Sequence, residues 1–201
     1  TPAGDGEYAI DSADLSAYNI NYNAAPVKPA SRQLFMFAGD RTGETDVSRD
    51  LAMFIDAAQK QGGGIIYLPG GKYRLDSPVV VPDGMELRGV GSVPERDQGN
   101  NSAGTAIMAY YGAGTDDPLY AQALITLGRG SGVRNIRILY PENKSGSEKP
   151  ECAFAIRSTD DNAYVVNCAI VGAYGGVDFN GANNHFVKKL VAYCYRYAVR
   201  A

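Results

Sequence analysis

One segment of the chain has hydrophobic residues at helical spacing. The apolar residues that recur every three or four positions are Val47, Leu51, Phe54, Ile55 and Ala58. Asp46 is a good N-cap residue just ahead of this stripe, and Gly62 follows its last turn as a stop signal. The pattern predicts a helix over 47–61, and its apolar face should cover the N-terminal end of whatever follows.

After this helix, the pattern changes to short β-like segments that end at Pro, Gly or Asp. They lie at 65–68, 72–75, 79–81, 85–88, 107–110, 124–127 and 133–140. A polar insert at 93–104 separates the first four from the rest. Residues 1–33 are polar and turn-rich, which predicts an extended N-terminal arm, whereas 34–201 form one folded unit.

An internal repeat is the most informative feature of the last third. VRNIRI at 133–138 recurs as VVNCAI at 165–170, 32 residues later, and more loosely as FVKKLV at 186–191, a further 21 residues on. Without the hydrophilic stretch 141–151, the first interval also becomes 21. This stretch is therefore interpreted as a loop inserted into one turn of a regular coil.

A period near 20 residues with short strands and no helix is typical of a parallel β-helix, in which each coil pairs with the next. Ile156, Val177 and Ala198 share the 21-residue spacing and should stack inward in successive coils. Asn135 and Asn167 occupy equivalent positions and predict a stacked asparagine ladder. A leucine-rich repeat has a similar period, but its LxxLxL frame is absent.

Composition and charge exclude several classes of protein. The 201 residues are 45% hydrophobic and 20% charged, which is globular, and no stretch approaches the ~20 consecutive apolar residues of a membrane-spanning helix. The net charge of −3, without long runs of either sign, makes nucleic acid a poor partner. The three cysteines lie in apolar segments without metal-ligand spacing, which indicates buried thiols.

Three further motifs give the chain a family resemblance. They are DRTGETD at 40–46, GGIIYLPGGKY at 63–73 and MELRGVG at 85–91. Together with the helix between them, they resemble the N-terminal portion of the pectate-lyase-like superfamily, whose usual motifs are GDGxTDDT, GGxVYxPxGxY and LxGxG. VRNIRILYPE at 133–142 is similar to bacterial members with a YPE phrase in their coils. The chain departs from the family in lacking the doubled aspartate near position 46.

The resemblance implies an all-β fold, a right-handed single-stranded parallel β-helix with an N-terminal capping α-helix. It also implies a secreted, periplasmic or cell-surface protein that acts on a polysaccharide or oligosaccharide. Cleavage of glycosidic bonds by hydrolysis is favoured over elimination, with no cofactor except calcium in the case of a lyase. A non-catalytic carbohydrate-binding or adhesion β-helix, like a tailspike, is the alternative. The matched motifs are structural and carry over no catalytic residue.

Candidate chemistry therefore comes from the repeat register. Arg157 lies over Asp178, and both follow inward positions, so both should point outward. They form either a sugar-binding or acid-base pair in a groove, or a cross-strand ion pair of little net energy, which is favoured. Asp160 and Asp161 are adjacent carboxylates that suit the acid and base of a glycosidase, but Asp-Asp-Asn is also good turn chemistry and the turn is favoured.

His185 is the single histidine, so any histidine-dependent proton transfer must use it. The 21-residue register places it opposite Tyr164 at a coil corner, where a structural role is favoured. Lys188 and its neighbour Lys189 either neutralise an acidic sugar or belong to a solvated strand face. No residue set predicts a metal site.

The last repeat, 186–199, has neither a closing helix nor a polar cap. Because an uncovered coil exposes backbone donors and acceptors, further coils are expected from a C-terminal continuation or from a second chain. Catalytic groups could then lie outside these 201 residues.

Overall fold

The computed structural model describes residues 28–91, 104–143 and 151–201, together with the backbone of two short strands, β1 (Pro2–Ala3) and β2 (Glu7–Tyr8), which pair antiparallel. Most of the predicted N-terminal arm and of the insert at 93–104 lies outside the described residues, as does much of the predicted loop at 141–151. Among the described residues, no helix is both long and apolar enough to span a lipid bilayer.

Within the described residues, fifteen strands and one helix form the main body, and all pairings between these strands are parallel. One sheet has ten strands and consists of two halves. Two long strands, β14 (Tyr164–Val171) and β16 (Phe186–Tyr193), run through both halves and join them. The other strands of its first half are β3 (Leu34–Met36), β5 (Ile65–Tyr67), β8 (Glu86–Arg88) and β11 (Gly132–Arg134). Those of its second half are β4 (Thr42–Asp46), β6 (Gly71–Leu75), β9 (Thr105–Ala109) and β12 (Ile136–Leu139).

A separate five-stranded sheet completes each circuit of the chain. Its strands, in order, are β7 (Val79–Val81), β10 (Ile125–Leu127), β13 (Ile156–Arg157), β15 (Gly175–Asp178) and β17 (Tyr197–Arg200). The chain visits the first half, the second half and then this sheet, and each circuit pairs in parallel with the one before. This succession is consistent with the predicted parallel β-helix, and we call each circuit a coil.

The corner between the two halves confirms the predicted asparagine ladder. Asn135 and Asn167 have φ values of 57° and 53°, a left-handed conformation that asparagine tolerates better than most residues. Asn167 Nδ2 donates to Asn135 Oδ1 at 2.8 Å. In the last coil Lys189 holds the same corner with φ 53°.

The predicted interior stack is confirmed for two of its three members. Ile156 pairs with Val177, and both are fully buried. The third member is wrong, because Val177 pairs with Val199 and Ala198 is exposed. In the same way Tyr164 pairs with Phe186, so His185 does not lie opposite it.

The register of the last coil differs from the prediction because one turn is longer than its counterpart in the coil before. Residues 158–163 join β13 to β14, whereas residues 179–185 join β15 to β16 and are one residue more. The last coil therefore follows a spacing of 22, as the pair Val177 and Val199 shows. Lys189 stands where the two previous coils carry asparagine, so the motif that would have marked this shift is absent from the sequence.

The predicted helix is confirmed as α1 (Ser48–Lys60), with Leu51, Ile55 and Ala58 buried in the main hydrophobic core. It packs against β7, the first strand of the five-stranded sheet. Asp46 is not the N-cap, which is Val47, but its Oδ1 accepts the Ser48 N–H at 2.9 Å. The Ser48 hydroxyl oxygen accepts the Asp76 and Ser77 N–H groups, which ties the start of the helix to the turn before β7.

The three cysteines are thiols and not disulfides, as predicted. Cys152 and Cys168 are buried and Cys194 is half-buried. Burial raises the pKa of both Cys168 and Cys194 to about 12, so these thiols stay protonated at neutral pH.

Candidate functional site

The outward face of the five-stranded sheet carries a column of five aligned residues, one from each strand. Inward positions on these strands are taken by Val79, Ile125, Ile156 and Val177, all at most 1% exposed. Since successive side chains on a strand point to opposite faces, the next residue on each strand points outward. The column consists of Val80, Thr126, Arg157, Asp178 and Arg200.

Asp178 lies at the centre of the charged part of this column. Arg157 Nε contacts Asp178 Oδ2 at 2.9 Å from one neighbouring coil, and Arg200 Nη1 lies 3.5 Å from the same oxygen on the other side. The Asp178 side chain is only 4% exposed, and Oδ1 also accepts the Asn180 N–H. The predicted cross-strand ion pair is thus present, but it is a buried Arg-Asp-Arg arrangement and not a solvated surface pair.

The loop before β10 buries this arrangement. The guanidinium group of Arg157 donates to three backbone oxygens of the loop, from Leu119 at 2.7 Å, from Pro118 at 3.4 Å and from Ala121. Its Cζ also lies 5.3 Å from the centroid of the Phe154 ring. Arg157 was predicted to bind substrate, but its nitrogen atoms are occupied by Asp178 and this loop.

Asp160 and Asp161 lie in the turn that follows β13, where Asn162 has φ 65°. Asp161 Oδ1 accepts both the side-chain Nδ2 and the backbone N–H of Asn183, at 3.1 and 3.0 Å. These hydrogen bonds, the side-chain one first, lower the pKa of Asp161 below its ordinary value. Asp161 is therefore an ionised carboxylate, unsuited to the role of a general acid.

His185 and Lys188 lie beyond this turn, in the last coil. The His185 ring is half-buried against Phe179, with ring centroids 4.9 Å apart, and its Nδ1 has no hydrogen-bond partner within the part of the chain that the structure describes. Lys188 is exposed on β16, where it pairs with Val166. The structure therefore places the six predicted site residues along one end of the molecule, and it joins only Arg157 and Asp178 by a direct contact.

A second charged cluster lies on the first half of the ten-stranded sheet, and sequence reasoning missed it. Glu86 is fully buried and forms ion pairs with Arg88 and with Arg134, the latter at 3.1 Å. Tyr164 donates its hydroxyl to Glu86 Oε2 at 2.6 Å from two coils away. Gly132 stands between them in the register, and a side chain there would meet the Tyr164 ring at 2.2 Å.

This Glu86 cluster had a signal in the sequence. ELR at 86–88, GVR at 132–134 and YVV at 164–166 occupy equivalent positions in three successive coils. Aligning all coils, and not only the last three, would have placed a glutamate, a glycine and a tyrosine in one column. The burial of the carboxylate could not have been found this way, because it depends on the tyrosine lying across the glycine.

Within residues 28–91, 104–143 and 151–201, no group of three or more His, Cys, Asp or Glu side chains is arranged to hold a metal ion. The outward column offers the carboxylate of Asp178 and the guanidinium groups of Arg157 and Arg200. Such groups can bind a charged group of a ligand or stabilise charge in a reaction. The Asp178 carboxylate lies between both guanidinium groups.

A comparison of the sequence with known protein families identifies the class to which the chain belongs. The sequence profile of the family described as rhamnogalacturonase A/epimerase, pectate lyase-like, matches residues 36–170. That match spans more than half of the 201 residues. The chain therefore belongs to this pectate-lyase-like family, and the resemblance seen in the sequence is confirmed.

Two solved structures share the fold. One is a protein from Parabacteroides merdae described as a candidate glycosyl hydrolase, with a TM-score of 0.52 and 14% identity over 83% of this chain and 79% of that one. The other is the A-module of mannuronan C-5 epimerase AlgE4 from Azotobacter vinelandii, with a TM-score of 0.53 and 16% identity. The second match covers 81% of this chain but 50% of that one, so this chain spans about half its length. No curated protein sequence matches the chain.

Proposed function

We propose that this protein is a secreted or cell-surface enzyme that cleaves glycosidic bonds in a carboxylated polysaccharide, by hydrolysis ahead of elimination. The observation that carries the proposal is the Arg157, Asp178 and Arg200 column on the outward face of a sheet in a pectate-lyase-like chain. An extended glycan can lie along such a face, because equivalent side chains of neighbouring coils are spaced about 4.8 Å apart. Arginine is well suited to the carboxylate of a uronate residue, which favours an acidic sugar.

In this proposal Asp178 acts as the carboxylate of the reaction, and Arg200, whose side chain is 25% exposed, is the nearest group for a substrate carboxylate. Hydrolysis also needs a protonated acid on the other side of the glycosidic bond. Asp161 does not supply it, because its pKa is lowered by Asn183. We therefore place the acid on further coils of the β-helix.

Those further coils are supported by the exposure of the last described coil. Val187, Leu190 and Cys194 pack only partly against the core. Phe186 and Tyr193 on the same strand are 40% and 57% exposed. We propose that a right-handed continuation, from this chain or from a second one, covers them. Mass spectrometry of the natural protein and sedimentation analysis distinguish the two sources, and a monomer ending at residue 201 would contradict both.

A non-catalytic glycan-binding protein is the second candidate. It is favoured by one observation, namely that Asp178 and Arg157 are both engaged within the protein. Such a protein would bind polysaccharide and release no product. The family description also includes epimerases, which change uronate stereochemistry without shortening the chain.

The test is to incubate the protein with polygalacturonate, rhamnogalacturonan, alginate and host glycans and to measure three products. New reducing ends indicate hydrolysis, unsaturated uronates indicate elimination, and altered uronate signals in proton NMR at constant chain length indicate epimerisation. We expect reducing ends without added metal. Dependence on calcium, lost on chelation, would instead accompany elimination.

The variant Asp178→Asn keeps the shape of the carboxylate and removes its charge, so it should abolish turnover. Asp116→Asn, on an exposed loop residue, is the matched control and should leave activity unchanged. Thermal unfolding of both variants separates a lost reaction from a lost fold. Full turnover by a folded Asp178→Asn protein would show that Asp178 has no part in the chemistry, and binding without any product would favour the second candidate.

A further inference from the structure

Tyr120 is the most exposed of the large hydrophobic side chains in the described part of the chain. Its side chain is 79% exposed, compared with 60% for Met53 and 57% for Tyr193. Most of the Tyr120 surface is therefore left uncovered by the other described residues. The ring lies on the loop before β10, the loop that covers Arg157.

The loop that carries Tyr120 is fixed to the body of the protein at several points. Arg157 binds the carbonyl oxygens of the residues on both sides, Leu119 and Ala121. The N–H groups of Tyr120 and Ala121 both donate to the carbonyl oxygen of Asp117, at 3.2 and 2.9 Å, which closes a tight turn.

The base of the same loop is held as well. The N–H groups of Gly114 and Thr115 donate to the Glu151 carbonyl oxygen, and Ala113 forms a β-bridge with Cys152. Pro118, beside the exposed tyrosine, is buried. An exposed ring is thus mounted on a backbone that is anchored at its base and on both sides of the ring.

This combination suits the recognition of a sugar ring. The face of an aromatic ring packs well against the C–H groups on one face of a pyranose, while the tyrosine hydroxyl remains available for hydrogen bonds. Because the loop is already ordered, binding loses little conformational freedom, and the ring has only two rotatable side-chain bonds. The same arginine that anchors the loop contacts Asp178, so the backbone that carries Tyr120 lies beside the charged column.

We propose that Tyr120 is a stacking platform for one pyranose ring of the glycan, at the side of the outward column. This inference rests on the proposed function and adds to it a binding residue and the way in which it is held. Arg157 holds the platform in place through the carbonyl oxygens of the loop and does not itself bind the sugar.

The chain contains no tryptophan, so a single substitution can report on this position directly. Tyr120→Trp keeps a flat aromatic face and creates the single indole of the protein. We expect its emission to shift to shorter wavelength on addition of defined oligogalacturonate, rhamnogalacturonan or oligomannuronate fragments. Half of the full shift should be reached at the dissociation constant found by calorimetry. Met53→Trp, on the exposed face of α1, is the control and should not respond.

Affinity is then measured without the ring. Tyr120→Ala should weaken binding about fivefold, since stacking contacts are worth on the order of 1 kcal/mol. Met53→Ala should bind as the unchanged protein does. Because the Tyr120 side chain is largely exposed, the melting temperature of Tyr120→Ala should match that of the parent.

The outcomes are distinguishable. If the parent protein binds a fragment but Tyr120→Ala binds it equally well and the tryptophan emission is unchanged, the platform is wrong while the proposed function stands. If the parent neither binds nor converts any fragment, the proposed function fails and the platform fails with it.

Discussion

Leu51 offers a sharp test of whether α1 closes the end of the β-helix. Its side chain is 0% exposed and belongs to the main core, with Ile55 one turn further along the helix. Leu51→Ala removes three carbon atoms, which at about 0.8 kcal/mol for each buried group amounts to about 2.4 kcal/mol of transfer free energy. The cavity left behind adds to this, so we expect a total loss of about 3 to 4 kcal/mol in the free energy of unfolding.

Urea denaturation followed by circular dichroism measures this loss. With a slope of about 2 kcal/mol per molar urea, the midpoint should fall by about 1.5 to 2 M, while the slope itself is unchanged. Met53→Ala is the matched control, because Met53 lies on the same helix and is 60% exposed. Its effect should stay within about 0.5 kcal/mol.

A loss for Leu51→Ala as small as that for Met53→Ala would refute this reasoning. It would mean that the apolar stripe of α1 does not cover the interior of the first coil in solution. A change in slope instead of midpoint would show that the helix unfolds separately from the coils, which would contradict the single core that joins them.

Three other predictions concern the Glu86 cluster and the thiols. Gly132→Ala should destabilise the protein by about 2 kcal/mol or more, because its new methyl group meets the Tyr164 ring. Adding Tyr164→Ala to the same chain should remove this clash, and a double-mutant cycle measured by urea denaturation would show the relief. Glu86→Gln should lower the free energy of unfolding by about 2 to 3 kcal/mol. This loss is at the low end for a buried ion pair, because both partner arginines contact water. No change in the urea midpoint would show that the charge is dispensable. Cys168 should react with iodoacetamide at pH 8 only after unfolding, and its rapid labelling in the native protein would contradict its burial. Because the folded pKa values of Cys168 and Cys194 are raised to about 12, the contribution of these thiols to stability should be complete below about pH 8.5 and decline as the pH rises towards 12, which urea denaturation at several pH values measures.

Much of the fold could be predicted from the sequence because each element depends on local spacing. The helix followed from five apolar residues on one face, and its observed bounds are one residue inside those predicted at each end. The parallel coils followed from a repeat that places Ile156 and Val177 in one column. The asparagine ladder followed in the same way, since a left-handed corner recurs at a fixed position of the coil.

The register of the last coil could not be predicted in this way. It depends on one extra residue in the turn at 179–185, and a turn has no periodicity that reveals its length. Tertiary structure also decided the state of the predicted site. Arg157 and Asp178 were expected side by side on the outer face, and they are, but the loop that covers them comes from the previous coil.

The sequence by itself therefore determined the class of fold and the residues that face each other in neighbouring coils, because both depend on regular spacing along one chain. Only the tertiary structure decided which of those residues are accessible. Burial of Glu86 requires a tyrosine from two coils away to lie across the glycine of the coil between them. Exposure of Tyr120 requires a loop to be anchored by an arginine of the next coil. Both are contacts between side chains or loops far apart in the sequence, and neither leaves a periodic signal in it.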